Sequence, residues 1–173
     1  MMPTIRLQPE DFDVAAEAAA LARGRTDIGA VVTFTGICRD HEADPGEGCH
    51  GVTALTLEHY PGMAEEEIAR HVDEAKRRWP LLGVTVIHRY GRLVPGDNIV
   101  LVVTAAAHRE PAFAAAEFLM DYLKTRAPFW KQEERAGGTA TTRTTTRTWV
   151  AAKEADDAAA GRWDAPRKRD AAE

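Results

Sequence analysis

The chain has 173 residues, 22 Lys and Arg against 27 Asp and Glu, a formal net charge of -5 and 45% hydrophobic residues. That length suits one domain, able to bury roughly two thirds of the surface its unfolded form exposes. The acidic balance excludes a nucleic-acid binder driven by bulk charge, because no overall positive field exists to release counterions from phosphates. Any anion site must be built locally.

The two cysteines, Cys38 and Cys49, form no CxxC pair and offer no zinc-ligand spacing. No basic segment followed by an apolar run opens the sequence, and the longest apolar stretch, Ile99 to Ala107, is about half of a membrane-crossing helix. The expectation is a reduced cytoplasmic protein with no membrane segment, no metal and no nucleic-acid partner.

In chain order, Ala-rich Pro9 to Gly24 reads as a helix, acidic at its start (Glu10, Asp11) and stopped by Gly24. Gly29 to Gly36 is β-branched and alternating, a strand. Arg39 to Gly51, with three glycines and Pro45, is a polar loop. Val52 to Tyr60 is a second strand, placing Leu55, Leu57 and His59 on one face. Pro61-Gly62 introduces a helix through about Trp79, whose acidic start (Glu65, Glu66, Glu67) and basic end (Lys76, Arg77, Arg78) complement its macrodipole. Strands follow at Val84 to Tyr90 and Ile99 to Ala107, joined through a Pro95-Gly96-Asp97 turn.

The next helix starts near Glu110-Pro111, carries Phe113, Ala116, Met120 and Leu123 at helical spacing, and ends at Ala127 because Pro128 disfavours the α conformation before it. Thr139 to Thr148 is a low-complexity Thr/Arg run, read as an exposed strand or a mobile loop. Trp149 to Ala160 reads as helical or strand-to-helix. The division is one domain over 1–160, containing the 139–148 insert, and a charged flexible tail over 161–173.

Three places could hold chemistry. Lys124 to Lys131 carries three cations and no acid around Pro128. A lysine near other cations can act as nucleophile or proton acceptor, but on spacing alone Lys124 and Arg126 read more ordinarily as last-turn caps. Ala107-His108-Arg109-Glu110 places two basic groups where a helix begins, awkward unless an anion or a carboxylate partner sits there. Cys38 beside Arg39 is either an acidified thiol or, more ordinarily, a small buried hydrophobe. His41, His59 and His88 do not converge by spacing, and HExxH, the P-loop, GxSxG and GxGxxG are absent.

Several blocks, in order, carry a resemblance: Gly29-Ala-Val-Val-Thr-Phe-Thr-Gly36 with Arg39, Leu55-Thr-Leu-Glu-His-Tyr-Pro-Gly-Met63, Val84-Thr-Val-Ile-His-Arg89, Pro95-Gly-Asp97, Ala107-His-Arg109 and Phe118 to Lys131. Together they closely resemble the large, catalytic subunit of molybdopterin synthase. The resemblance implies an α+β chain with the α/β-hammerhead fold and a small additional β-subdomain. It implies a homodimer that holds two copies of a small ubiquitin-like sulfur carrier, a heterotetramer. The carrier's Gly-Gly C-terminus, activated as a thiocarboxylate, would place two sulfurs on cyclic pyranopterin monophosphate to form molybdopterin, with no resident cofactor. Lys124 and Lys131 match the family's essential lysines. Arg39, His108 and Arg109 match its substrate-pocket residues, and Gln132 and Glu133 follow Lys131 where the family also lines the pocket.

Three features depart from the family: Ile37-Cys38 stands where a basic and an apolar residue are frequent, the loop Asp40 to Gly51 is enlarged, and the Thr139 to Thr148 run fits no family motif. Two competing readings are a persulfide sulfurtransferase using Cys38, and a non-catalytic docking module for a ubiquitin-like protein.

Overall fold

The computed structural model describes residues 2–40, 51–139, 142–150 and 154–164. His41, Cys49 and most of the Asp40 to Gly51 loop lie outside the described residues, as do 165–173.

Two strands, β4 (Leu81–Arg89) and β6 (Asn98–Ala106), form the centre of the first sheet. Six consecutive residues in β4 are buried, as are Val100 to Ala106 in β6, because helices cover both faces. The sheet runs β1-β4-β6-β2, with β1 (Thr4–Gln8) parallel to β4 and β2 (Ala30–Ile37) antiparallel to β6. Strand alternation sorts the side chains. Val84, Val86, Val100 and Val102 meet α2 (Met63–Arg78) and α3 (Arg109–Thr125) through Ile68, Val72, Phe118 and Leu119. Ile87, Leu101, Val103 and Ala105 meet Phe12 and Leu21 around α1 (Val14–Ala22) on the other face.

The second sheet runs β5-β3-β7-β8, all antiparallel neighbours: β5 (Gly91–Leu93), β3 (Val52–His59), β7 (Phe129–Thr139) and β8 (Thr142–Val150). Its inner face presents Leu93, Leu55, Leu57, Phe129 and Lys131. Its outer face holds Glu134, buried between Arg92 of β5 and Arg147 of β8, both 3.2 Å away. The hydrogen-bonding Arg92 guanidinium, with Arg147, holds the Glu134 carboxyl below the usual range, so this contribution to stability is present above the unfolded pKa and lost as pH falls. Helix α4 (Glu154–Gly161) closes the chain against α3. The result is an α+β fold, two four-stranded sheets and four helices among the described residues. No described helix is long and apolar enough to cross a membrane.

Several boundaries differ from expectation for local reasons. Helix α1 begins at Val14 rather than Pro9, because Asp13 accepts a hydrogen bond from the Ala16 N–H at 2.9 Å and so caps the helix there. The Asp11 carboxylate is instead engaged by Phe12 N–H and by Asn98. Strands β1, β5 and β7 go beyond the sequence-predicted set. Within the Thr/Arg run, residues 142–148 belong to a strand, β8, with Thr145 to Trp149 exposed, and 140–141 lie outside the described residues. The described part of the expected flexible tail is instead held in place. Trp163 packs edge-on against Trp79 and Phe118, its indole N–H donates to Asp121 at 2.7 Å, and Arg78 donates to its carbonyl at 2.8 Å. Aromatic area and three-way polar contact outweigh the charged composition that suggested fraying.

Gly29 marks the closest main-chain approach, at the mouth of β2. A Cβ there would lie 2.2 Å from the Ala107 carbonyl oxygen, a backbone atom that no rotamer change can move. Gly29→Ala is expected to destabilise the protein by about 1–3 kcal/mol in urea denaturation, the usual range for overpacking; an unchanged midpoint would contradict this packing.

Candidate active site

A cavity of about 750 Å³ opens where the two sheets meet the C-terminal end of α3. Three cations reach it from three elements. Arg39 follows the end of β2, where the Cys38 N–H donates to the Asp97 carbonyl at 2.8 Å and the Gly96 N–H donates to the Cys38 carbonyl at 2.9 Å. Gly96 has φ of 97°, so the turn that pins β2 needs glycine there. Lys124 lies in the last turn of α3, closed by the Arg126 N–H donating to the Tyr122 carbonyl at 2.8 Å. Pro128 then turns the chain into β7, and alternation along that strand sends Phe129, Lys131 and Glu133 to the cavity. Arg39, Lys124 and Lys131 are exposed in the chain alone, so the cavity is open rather than largely desolvated.

Other groups shape the electrostatics. Glu133 accepts from Arg135 at 2.6 Å, which offsets its charge. Cys38 lines the cavity but is buried, and burial first, then Asp97 and Glu133, push its thiol pKa up. That is the opposite of an activated thiolate, and it removes the physical basis for a persulfide carried on Cys38. His88 of β4 is buried at the back of the cavity, stacked on Phe129 with ring centroids 3.9 Å apart. His59 lies 6.0 Å from the same ring and 4.5 Å from Tyr90. His59 and His88 therefore do converge, on Phe129, which spacing alone did not indicate.

Of the seven residues singled out from the sequence, Arg39, Lys124, Lys131 and Glu133 line the cavity. Gln132 does not; alternation turns it to the outer face, opposite Trp149 of β8. His108 and Arg109 do not either. His108 is the N-cap of α3 and makes no side-chain capping bond, while Lys124 is in the last turn of the same helix, about 24 Å away along its axis. One chain therefore separates the two basic clusters.

The family profile described as MoaE protein matches residues 7–126, more than half of the chain. The chain belongs to the MoaE family. A relative from Mesorhizobium japonicum, described as molybdopterin synthase catalytic subunit, is 58% identical over 163 residues and covered over 94% of each chain. The solved molybdopterin biosynthesis MoaE protein from Burkholderia ambifaria is 46% identical, with a TM-score of 0.74 over 95% of this chain and 100% of that one. A two-subunit complex of molybdopterin-converting factor from Helicobacter pylori is 19% identical with a TM-score of 0.59, over 81% of this chain and 86% of that one; it shares the fold. The Thr139 to Thr148 segment lies within the extent of the MoaE relatives, since these alignments cover nearly all of both chains.

Sequence reasoning missed His88 and Phe129 as cavity residues, along with Phe34 and Met120. The His88 position carries a measurable consequence. Burial, opposed by the bond to the Arg89 carbonyl and reinforced by Lys131 and His59, lowers its pKa to about 4. An unfolded chain takes up that proton near 6.5 and the folded chain only near 4, so stability falls as pH drops through that window. Urea denaturation should lose on the order of 3 kcal/mol between those values from this group. His88→Gln should remove that part of the slope; a slope unaltered in the variant would assign it elsewhere.

Proposed function

We propose that this member of the MoaE family is the catalytic subunit of a molybdopterin synthase, a sulfurtransferase that converts cyclic pyranopterin monophosphate to molybdopterin. The observation that carries this reading is the meeting of Arg39, Lys124 and Lys131 in one cavity of a size to hold a small phosphate-bearing heterocycle. Guanidinium and ammonium groups bind phosphate by charge-assisted hydrogen bonds. They also stabilise the negative charge that develops when sulfur attacks the pterin side chain, and a lysine can donate or accept the accompanying protons. Lys124 is the principal acid/base or transient covalent amine, and Lys131 orients the substrate or the incoming chain.

The sulfur has to arrive from outside. Cys38 is the one thiol lining the cavity among the described residues, and it is held protonated. A separate carrier with an extended Gly-Gly C-terminus ending in a thiocarboxylate fits an open cavity: the tail fills the mouth, excludes water and presents its sulfur to the precursor. Two such transfers build the dithiolene, with no resident cofactor in the scheme and a cytoplasmic setting for the reaction.

His108 and Arg109 enter this scheme from a second copy of the chain. They are too far along α3 to serve the cavity of their own chain. Arg109 is one helical turn before Phe113, an exposed aromatic of α3, and Phe34 is exposed on the α3-facing side of the sheet-edge strand β2, apolar surface suited to self-association. A two-fold pair with a carrier at each end gives a heterotetramer with two shared pockets.

Two experiments test the reading. With thiocarboxylated carrier and precursor, Lys124→Ala and Lys131→Ala should each lose at least about 100-fold in dithiolene formation, the scale of a positioned acid/base group; conversion at the wild-type rate in either would sink its assigned role. Mixing inactive Lys124→Ala and His108→Ala proteins after subunit exchange should restore roughly a quarter of the wild-type activity, because half the dimers are mixed and each rebuilds one pocket. A mixture that stays inactive would place both residues in the service of one chain.

A further inference from the structure

Arg39, Lys124 and Lys131 bring only N–H donors to the cavity, since neither guanidinium nor ammonium can accept a hydrogen bond. Glu133 can accept as well, with Arg135 holding its Oε2, but it is a charged group at the open part of the cavity. A nitrogen heterocycle has donor N–H groups of its own, and burying one without an acceptor weakens binding. A neutral ring acceptor fixed at the back of the cavity is His88.

Its ring is fixed twice. It lies nearly flat on Phe129, at 15° between planes, and its Nδ1 is 2.8 Å from the Arg89 carbonyl oxygen. A carbonyl oxygen only accepts, so Nδ1 carries the proton. In the neutral imidazole Nε2 is then the unprotonated nitrogen, with a lone pair in the plane of a ring that borders the cavity. Burial, reinforced by the Lys131 charge, keeps a second proton off, so the acceptor persists at neutral pH.

Resting on the molybdopterin synthase reading above, we propose that His88 is a substrate-binding residue whose Nε2 accepts a hydrogen bond from an N–H of the pterin. It thereby selects a nitrogen heterocycle with a donor edge, while the three cations select its phosphate. The cavity reads the two ends of the substrate with opposite chemistry.

Two substitutions separate the acceptor from the scaffold. In His88→Asn the side-chain amide can keep the bond to the Arg89 carbonyl but leaves nothing at the place of Nε2. In His88→Gln the longer side chain can return an oxygen to that place. Binding of cyclic pyranopterin monophosphate to the full chain is measured by titration calorimetry, and KM and kcat are measured with thiocarboxylated carrier. His88→Asn should raise Kd and KM about tenfold with little change in kcat, and His88→Gln should stay within about threefold of wild type. Thermal melting of both variants confirms folding. Wild-type Kd in folded His88→Asn, or equal weakening in both folded variants, overturns the proposal. Wild-type protein that binds the pterin without converting it sinks the synthase reading instead, and the two Kd values still decide the role of His88. Absence of pterin binding by the wild type ends both.

Discussion

Pro128 is the constraint on which the cavity depends. Its ring cannot continue α3, so the chain leaves the helix just past Lys124 and enters β7 as an extended strand. That reversal brings a helix of the first layer and a strand of the second sheet into one short stretch. Phe129, the first residue of β7, then lies flat on His88 of the first sheet. Lys124 and Lys131 are thus brought to one cavity by a helix end, a proline and an aromatic stack, each of them locally determined. Arg39 is the one cation of the three that comes from elsewhere, and a separate glycine turn holds the strand before it.

The two sheets are held by different forces. The first is a sandwich of apolar side chains, buried on both faces of β4 and β6. The second is held on its outer face by the Arg92–Glu134–Arg147 cluster, which ties β5 and β8 to β7 across the sheet. The cavity lies at their junction, where polar walls are possible because packing is less complete. A chain of net charge -5 can therefore keep a small basic site: acid is placed on the outside, in pairs and helix starts, and three cations gather at the seam.

Much of this organisation was legible in the sequence, where local chemistry decides the outcome. The strongly periodic helices, the β-branched strands and the Pro128 stop all follow from residues within a few positions of each other. The described part of the Thr/Arg run from Thr142 onward is a strand, as its β-branched composition allowed. β7 was not legible, because Lys131 to Arg135 has poor strand propensity and is extended by pairing with β3 and β8 on either side. The division of the seven site residues was partly legible: a 17-residue helix already separates His108 from Lys124, and strand alternation already turns Gln132 away from Lys131. The His88–Phe129 stack joins residues 41 positions apart on different sheets, and no local pattern announces it.

The four tryptophans divide between the two halves of the molecule. Trp79 and Trp163 cross edge-to-face within the helical layer, beside Phe118. Trp130 and Trp149 are each about half exposed, at 51% and 53%, on the outer face of the second sheet. Intrinsic emission consequently has two origins: a short-wavelength pair that shifts only when the core opens, and a water-relaxed pair that responds to anything settling on the sheet. The protein carries separate optical reporters for unfolding and for surface contact, without an added label.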